Sequence, residues 1–330
     1  MSAKQIDYRI ETLRAFAILF VVGSHVVGDS EMESVRGFYQ YVNHSVQNVR
    51  LPLFTVISGY LYGLRPVVAG RYLSFLAGKV RRILVPLFVV SALEYLAVSL
   101  LPGVNEPLPL GDIWRIFFFP FEHYWFLQVI FIIFVVVGAL DRWSLLKSNA
   151  ALGVFFALTC ALYLFYKKLG VSLSFFSLGT VTYLIPFFVM GYMTSARTDV
   201  LNRWGRSPVL LTLLVVGVAL QQLDWFLDLP YATSKRTLVG LVIGLSGAAL
   251  LIRHRFRLPV LCSVGSYAYA IYLYQGFGTS FGRRVAGLLG DMSPHLYFAL
   301  VVGVAVVFGI GVEFVVKRIP RLRTLLLGLK

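Results

Sequence analysis

The chain is a succession of apolar segments, each about as long as the hydrocarbon core of a bilayer is thick. A helix rises about 1.5 Å per residue, so roughly 20 apolar residues cover that core. Ten such segments can be drawn, near residues 8–28, 44–64, 81–101, 121–140, 149–166, 179–195, 208–224, 236–252, 259–281 and 295–316. Lipid offers no partner for backbone N–H and C=O groups, so a run of this length must pair them internally as a helix. The expected class is therefore all-α: a polytopic integral membrane protein of about ten spans. Composition agrees, with 58% hydrophobic and only 14% charged residues, where soluble domains carry about 25% charged. Residues 1–330 read as one transmembrane domain with no appended soluble domain.

The formal net charge is +15, and its placement excludes nucleic acid as the partner. Basic residues cluster in short loops between apolar segments, which is how membrane proteins fix their orientation. With the N-terminus inside, the cytoplasmic side gathers Lys4, Arg9, Arg65, Arg71, Lys79, Arg81, Arg82, Arg142, Lys147, Arg197, Arg203, Arg206, Arg253, Arg255 and Arg257. The tail adds Lys317, Arg318, Arg321, Arg323 and Lys330, while Asp29, Glu31, Glu33, Glu106, Asp112, Asp224 and Asp228 fall outside. An even number of spans places both termini in the cytoplasm. Cys160 and Cys262 both lie in apolar context and suggest neither a disulfide framework nor a metal site.

The first segment, "TLRAFAILFVVGSHVV" at 12–27, holds a permanent cation, Arg14, and a titratable imidazole, His25. Ionisable groups within a span are costly and mark function. Eleven residues are close to three helical turns, so Arg14 and His25 share a face about 16 Å apart along the axis. Glu11, three residues before Arg14, lies on that face and can pair with it. Snorkelling to either interface explains each group alone, but together they favour a shared polar cavity. His25 is the one histidine expected well inside a span.

An Arg and a His so spaced within "LRAFAILFVVGSH" resemble the signature of the membrane-bound acyltransferase 3 family. Further matches follow in the family's order. "LPLFTVISGYLYG" at 51–63 resembles its second-helix motif, with Phe54, Ser58, Gly59 and Tyr60 in register. "KVRRILVP" at 79–86 resembles the basic stretch that leads to a proline at the third helix. "HYWFL" at 123–127, "IPFFVMGYM" at 185–193 and "SYAYAIYLYQ" at 266–275 resemble the later motifs. One position departs: Gln275 stands where the family often has His.

The resemblance implies transfer of an acyl group, by default acetyl from acetyl-CoA, to a hydroxyl of a saccharide or lipid-linked glycan at the bacterial inner membrane. No permanently bound cofactor or metal is implied; acyl-CoA is a substrate, and membrane lipids are the other partner. His25 suits the role of general base, because a sugar hydroxyl is a poor nucleophile at neutral pH. Glu11, Ser24 or a tyrosine orients it. Lys79, Arg81 and Arg82 suit the phosphates of coenzyme A, with Arg14 deeper in. Ser58, Tyr60, His123, Tyr124, Trp125, Tyr272 and Gln275 are candidates for lining the acyl tunnel or the acceptor site. Glu94, inside the third segment, is expected to pair with Arg14 or another cation, or to stay neutral. The competing class is a transporter or flippase, which interrupted helices would suit equally; no matching pair of interrupted segments in two related halves is visible.

Overall fold

The computed structural model describes residues 8–28, 33, 35–100, 108–196, 207–227, 236–254 and 256–330, and among them it is all helical, without strands. Lys4, Asp29, Glu31, Glu106, Arg197, Arg203, Arg206, Asp228 and Arg255, which entered the orientation argument, lie outside the described residues. The helices are α1 (Tyr8–Val26), α2 (Arg36–Gly63), α3 (Tyr72–Lys79), α4 (Val85–Leu100), α5 (Trp125–Arg142), α6 (Asn149–Phe165) and α7 (Leu178–Ala196). They continue as α8 (Ser207–Leu227), α9 (Leu238–Arg253), α10 (Pro259–Ser266), α11 (Ala268–Leu289), α12 (Pro294–Val316) and α13 (Pro320–Leu327).

Among the described residues, six helical stretches are long and apolar enough to cross a membrane: Tyr72–Leu100, Leu110–Arg142, Asn149–Leu169, Phe175–Ala196, Ser207–Leu227 and Pro294–Val316. This is a multi-pass membrane protein. The segment near 236–252 forms a shorter apolar helix, Leu238–Arg253. The remaining three expected spans, near 8–28, 44–64 and 259–281, are helical but do not reach the same apolar standard. The reason is polar content. Arg9, Glu11 and Arg14 fall in α1; Asn43, His44, Gln47, Asn48 and Arg50 fall in α2. The 259–281 segment breaks at Tyr267 into α10 and α11. These three are the stretches on which most of the candidate residues sit.

The helices form two compact units, each built from separated parts of the chain: residues 1–64 with 186–310, and residues 65–185 with 311–330. In the first, α1 packs against α2, α10 and α11, and α2 packs against α9. Without a hydrophobic difference between lipid and side chain, helices associate through close packing, which favours small residues at crossings. The crossing of α2 and α7 shows this directly. A Cβ on Gly59 would overlap the Phe188 carbonyl, and one on Gly191 would overlap the Val56 carbonyl and fall 2.8 Å from the Tyr60 amide nitrogen. The "SGY" and "MGY" motifs are thus the two halves of one contact. Ser58 donates to the Phe54 carbonyl of its own helix at 2.9 Å, so its hydroxyl is satisfied locally.

In the second unit the basic stretch is not regular α-helix. Val80–Leu84 forms a π-helical turn between α3 and α4, with the Val85 amide bonded to the Val80 carbonyl. Pro86 follows, and a proline in a helix lacks the N–H and crowds the carbonyl four residues earlier, here that of Arg82. Widening the turn relieves that clash, so the proline that closes the motif accounts for the distortion in front of it.

Gly59→Ala and Gly191→Ala are each expected to destabilise the protein by about 1–3 kcal/mol, the overpacking cost outweighing the roughly 1 kcal/mol gained in helix propensity. Gly153→Ala, in α6 with open space around its Cβ, is the control and should be neutral or stabilising. Thermal melts of the three variants in detergent read the difference.

Candidate active site

In α1 the side opposite Glu11, Arg14 and His25 carries the exposed residues Arg9 and Phe20, so the polar groups face away from that exposed edge. Arg14 Nη1 donates to Glu11 Oε1 at 2.7 Å, with the two side chains 32% and 13% exposed. Removing one member of a pair that shielded strands the other as an uncompensated charge, which is strongly destabilising. Gly265 of α10 makes this level possible: its missing Cβ lets α10 lie directly on the Glu11 carbonyl. Thr12 and Cys262 meet beside it at 3.1 Å.

The stripe is not continuous. Between Arg14 and His25 the same face presents Ile18 and Val21, both buried, so the two polar groups form separate patches across an apolar waist. His25 is not deep inside the helix, as the sequence reading expects; it is the penultimate residue of α1, with an exposed side chain. Glu11 lies fourteen residues away, about 21 Å along the axis, and therefore orients Arg14 rather than His25. The Ser24 hydroxyl donates to the Val21 carbonyl at 2.7 Å.

Two residues that the sequence reading passed over stand beside His25. Arg283 of α11 donates from Nη2 to the His25 carbonyl at 3.3 Å. That carbonyl is one of the last in α1, which have no partner within the helix, so a guanidinium there both satisfies it and suits the negative helix end. Arg50 of α2, tied to Asn43 through Nη1, and Arg283 are close enough for their charges to act on the imidazole. The signal was present: Arg50 is a cation inside an expected span, and was open to the same argument as Arg14.

α11 runs alongside α1 in the same direction, since Gly265 just before it meets Glu11 and Arg283 meets His25. Gln275, eight residues before Arg283, therefore lies about 12 Å back along the axis, at a level between His25 and Arg14. It is 1% exposed, and neither its amide oxygen nor its amide nitrogen has a hydrogen-bond partner among the described residues. Tyr272 is buried on the same helix. Tyr60 is half-buried next to the Gly59 crossing.

The other candidates belong to the second unit. His123 and Tyr124 are buried in a 3-10 turn, Glu122–Tyr124, with half-buried Trp125 opening α5. The Tyr124 hydroxyl donates to Glu94 Oε2, and the His123 ring lies 4.1 Å from that of Tyr124. Among the described residues Glu94 is thus held by a phenol rather than by a cation, and a neutral acid accepts such a bond as well as a carboxylate does. Nearby, Ser177 donates to Gln128 Oε1 at 2.6 Å, and Gln128 to the Phe119 carbonyl at 3.3 Å. Lys79 sits with Nζ 3.3 Å from the Phe134 ring centroid, a cation–π contact that turns it away from a role as a free surface cation. Arg81 is half-buried and Arg82 exposed in the π-helical turn.

A family model described as an acyltransferase domain matches residues 7–313. The chain belongs to the acyltransferase 3 family. No curated protein and no solved structure matches it. Membership makes it a membrane acyltransferase, and the match runs from the start of α1 almost to the end of α12. It therefore includes every candidate residue above.

Tyr124→Phe leaves the buried Glu94 oxygen without its donor and should cost about 1–3 kcal/mol in a thermal melt. Adding Glu94→Leu should cost less than the sum of the two single changes, since the unpaired acceptor is then gone.

Proposed function

We propose that the protein is an O-acyltransferase that moves an acyl group, by default acetyl, from acyl-CoA to a hydroxyl of a saccharide or lipid-linked glycan, with His25 as general base. The observation that carries this reading is the setting of His25. An exposed imidazole near the end of α1 lies among two guanidinium groups, in a chain of an acyltransferase family. Imidazole accepts a proton from the acceptor hydroxyl as its oxygen attacks the thioester carbonyl. The tetrahedral oxyanion collapses, the C–S bond breaks, and the proton passes from the imidazolium to the departing thiolate to give free coenzyme A. Arg50 and Arg283 supply positive charge where the oxyanion forms. The buried, unpartnered amide of Gln275 offers a donor and an acceptor to the acceptor sugar, a role that needs no proton transfer.

On the donor side, Arg81 and Arg82 take phosphate oxygens. The enzyme works in a bacterial inner membrane with both termini in the cytoplasm, an orientation supported by the loop charges.

His25→Ala should lower transfer of labelled acetyl from acetyl-CoA in isolated membranes by about 10²-fold or more, the usual contribution of a general base, with protein level and insertion unchanged. Retained transfer removes His25 from the mechanism. Glycan moved across the membrane without modification would identify a carrier instead.

A further inference from the structure

The C-terminal helix α13 lies beyond the family match, which ends at residue 313, yet it packs on α4 and on the π-helical turn that carries the basic motif. Its end is shaped for that contact. Gly328 has φ +65°, and its amide and that of Leu329 bond the carbonyls of Thr324 and Arg323 at 3.0 and 3.1 Å. A Cβ on Gly328 would fall 2.5 Å from the Arg82 Cα and 2.7 Å from the Arg81 carbonyl oxygen. Only glycine suits both the left-handed backbone and the space. Arg323, whose carbonyl closes this turn, is thereby brought to the seam where Arg81 and Arg82 sit.

At that seam the Nε of Arg81 and the Nε of Arg323 are both buried, and neither has a hydrogen-bond partner among the described residues. A guanidinium N–H shielded from water and left without an acceptor is destabilising, and such a group calls for a specific explanation. One belongs to the π-helical turn and the other to the helix that packs on it, and π-helical turns are frequent at functional sites. Exposed Arg82 and Arg321 add positive charge around them. The acceptor that satisfies forked donors in a cationic surround is a phosphate, whose oxygens can take Nε and Nη of one guanidinium together.

We propose that Arg81 and Arg323 form a phosphate-ester binding site completed by the C-terminal helix. Its occupant is a nucleotide phosphate of coenzyme A, which rests on the donor reading above, or the headgroup phosphate of an anionic lipid.

The test uses the full chain in nanodiscs. In phosphatidylcholine alone, coenzyme A binding is measured by calorimetry for the wild type, Arg81→Gln, Arg323→Gln and Arg323→Lys. In a second arm, native mass spectrometry reads retention of added phosphatidylglycerol by the same four proteins. Each Gln variant should weaken one of the two ligands about tenfold or more, the loss of a charge-assisted hydrogen bond, and Arg323→Lys should recover part of it. Neither Gln change should lower the thermal midpoint, because each removes an unpaired buried donor. Loss confined to coenzyme A assigns the phosphate to the donor. Loss confined to phosphatidylglycerol assigns it to lipid, and a wild type that binds no coenzyme A then refutes the donor reading while leaving the site in place. Unchanged binding of both ligands in Arg323→Gln overturns the proposal, and that variant decides the matter if Arg81→Gln fails to fold.

Discussion

Where α2 crosses α7, two backbones touch with no side chain between them. Gly59 meets the Phe188 carbonyl and Gly191 meets the Val56 carbonyl, so the crossing has no slack in either direction. In lipid, apolar bulk gives helices no reason to prefer one another over acyl chains, and only tight, specific contact selects a partner. This contact fixes α2, and α2 is one of the walls against which α1 rests. The positions of Arg50 and His25 relative to each other therefore depend on two residues without side chains.

Glycine recurs in that role because the first unit must pack helices that are too polar to be held by lipid. α1 carries Arg9, Glu11, Arg14 and His25, and α2 carries Asn48 and Arg50. Close backbone approach brings polar partners within reach: Glu11 finds Arg14, Asn48 donates to Gln221 at 3.2 Å, and Arg283 finds the end of α1. Gln275 is buried, and among the described residues neither atom of its amide has a hydrogen-bond partner. A buried side-chain amide with both of its polar atoms open is a place for a ligand to complete.

Much of this was legible in the sequence. Span-length apolar runs gave the helical membrane class, and the 3.6 period put Glu11, Arg14 and His25 on one face. The ordered motifs gave the family, which the match over residues 7–313 establishes. What could not be read was tertiary. Periodicity sets the direction of a side chain but not its neighbours, so the waist at Ile18 and Val21, the clamp by Arg283 and the Tyr124–Glu94 bond were invisible. Hydropathy also overstated regularity: polar residues in α1, in α2 and at the break before α11 left six helical stretches with full spanning character. The distortion at Val80–Leu84 was latent in Pro86, since a proline at the eighth position of that basic helical stretch has to disturb the turn before it.

The central claim is that this chain modifies a glycan rather than moving it or merely holding a place in the membrane. Mass spectrometry of surface and exported glycans from cells with the intact gene and from cells lacking it tests that claim most directly. The account predicts a glycan lighter by the mass of an acyl substituent in cells without the gene, restored when the gene is returned. Identical glycan masses in the two strains, with a difference only in how much glycan reaches the surface, would contradict it.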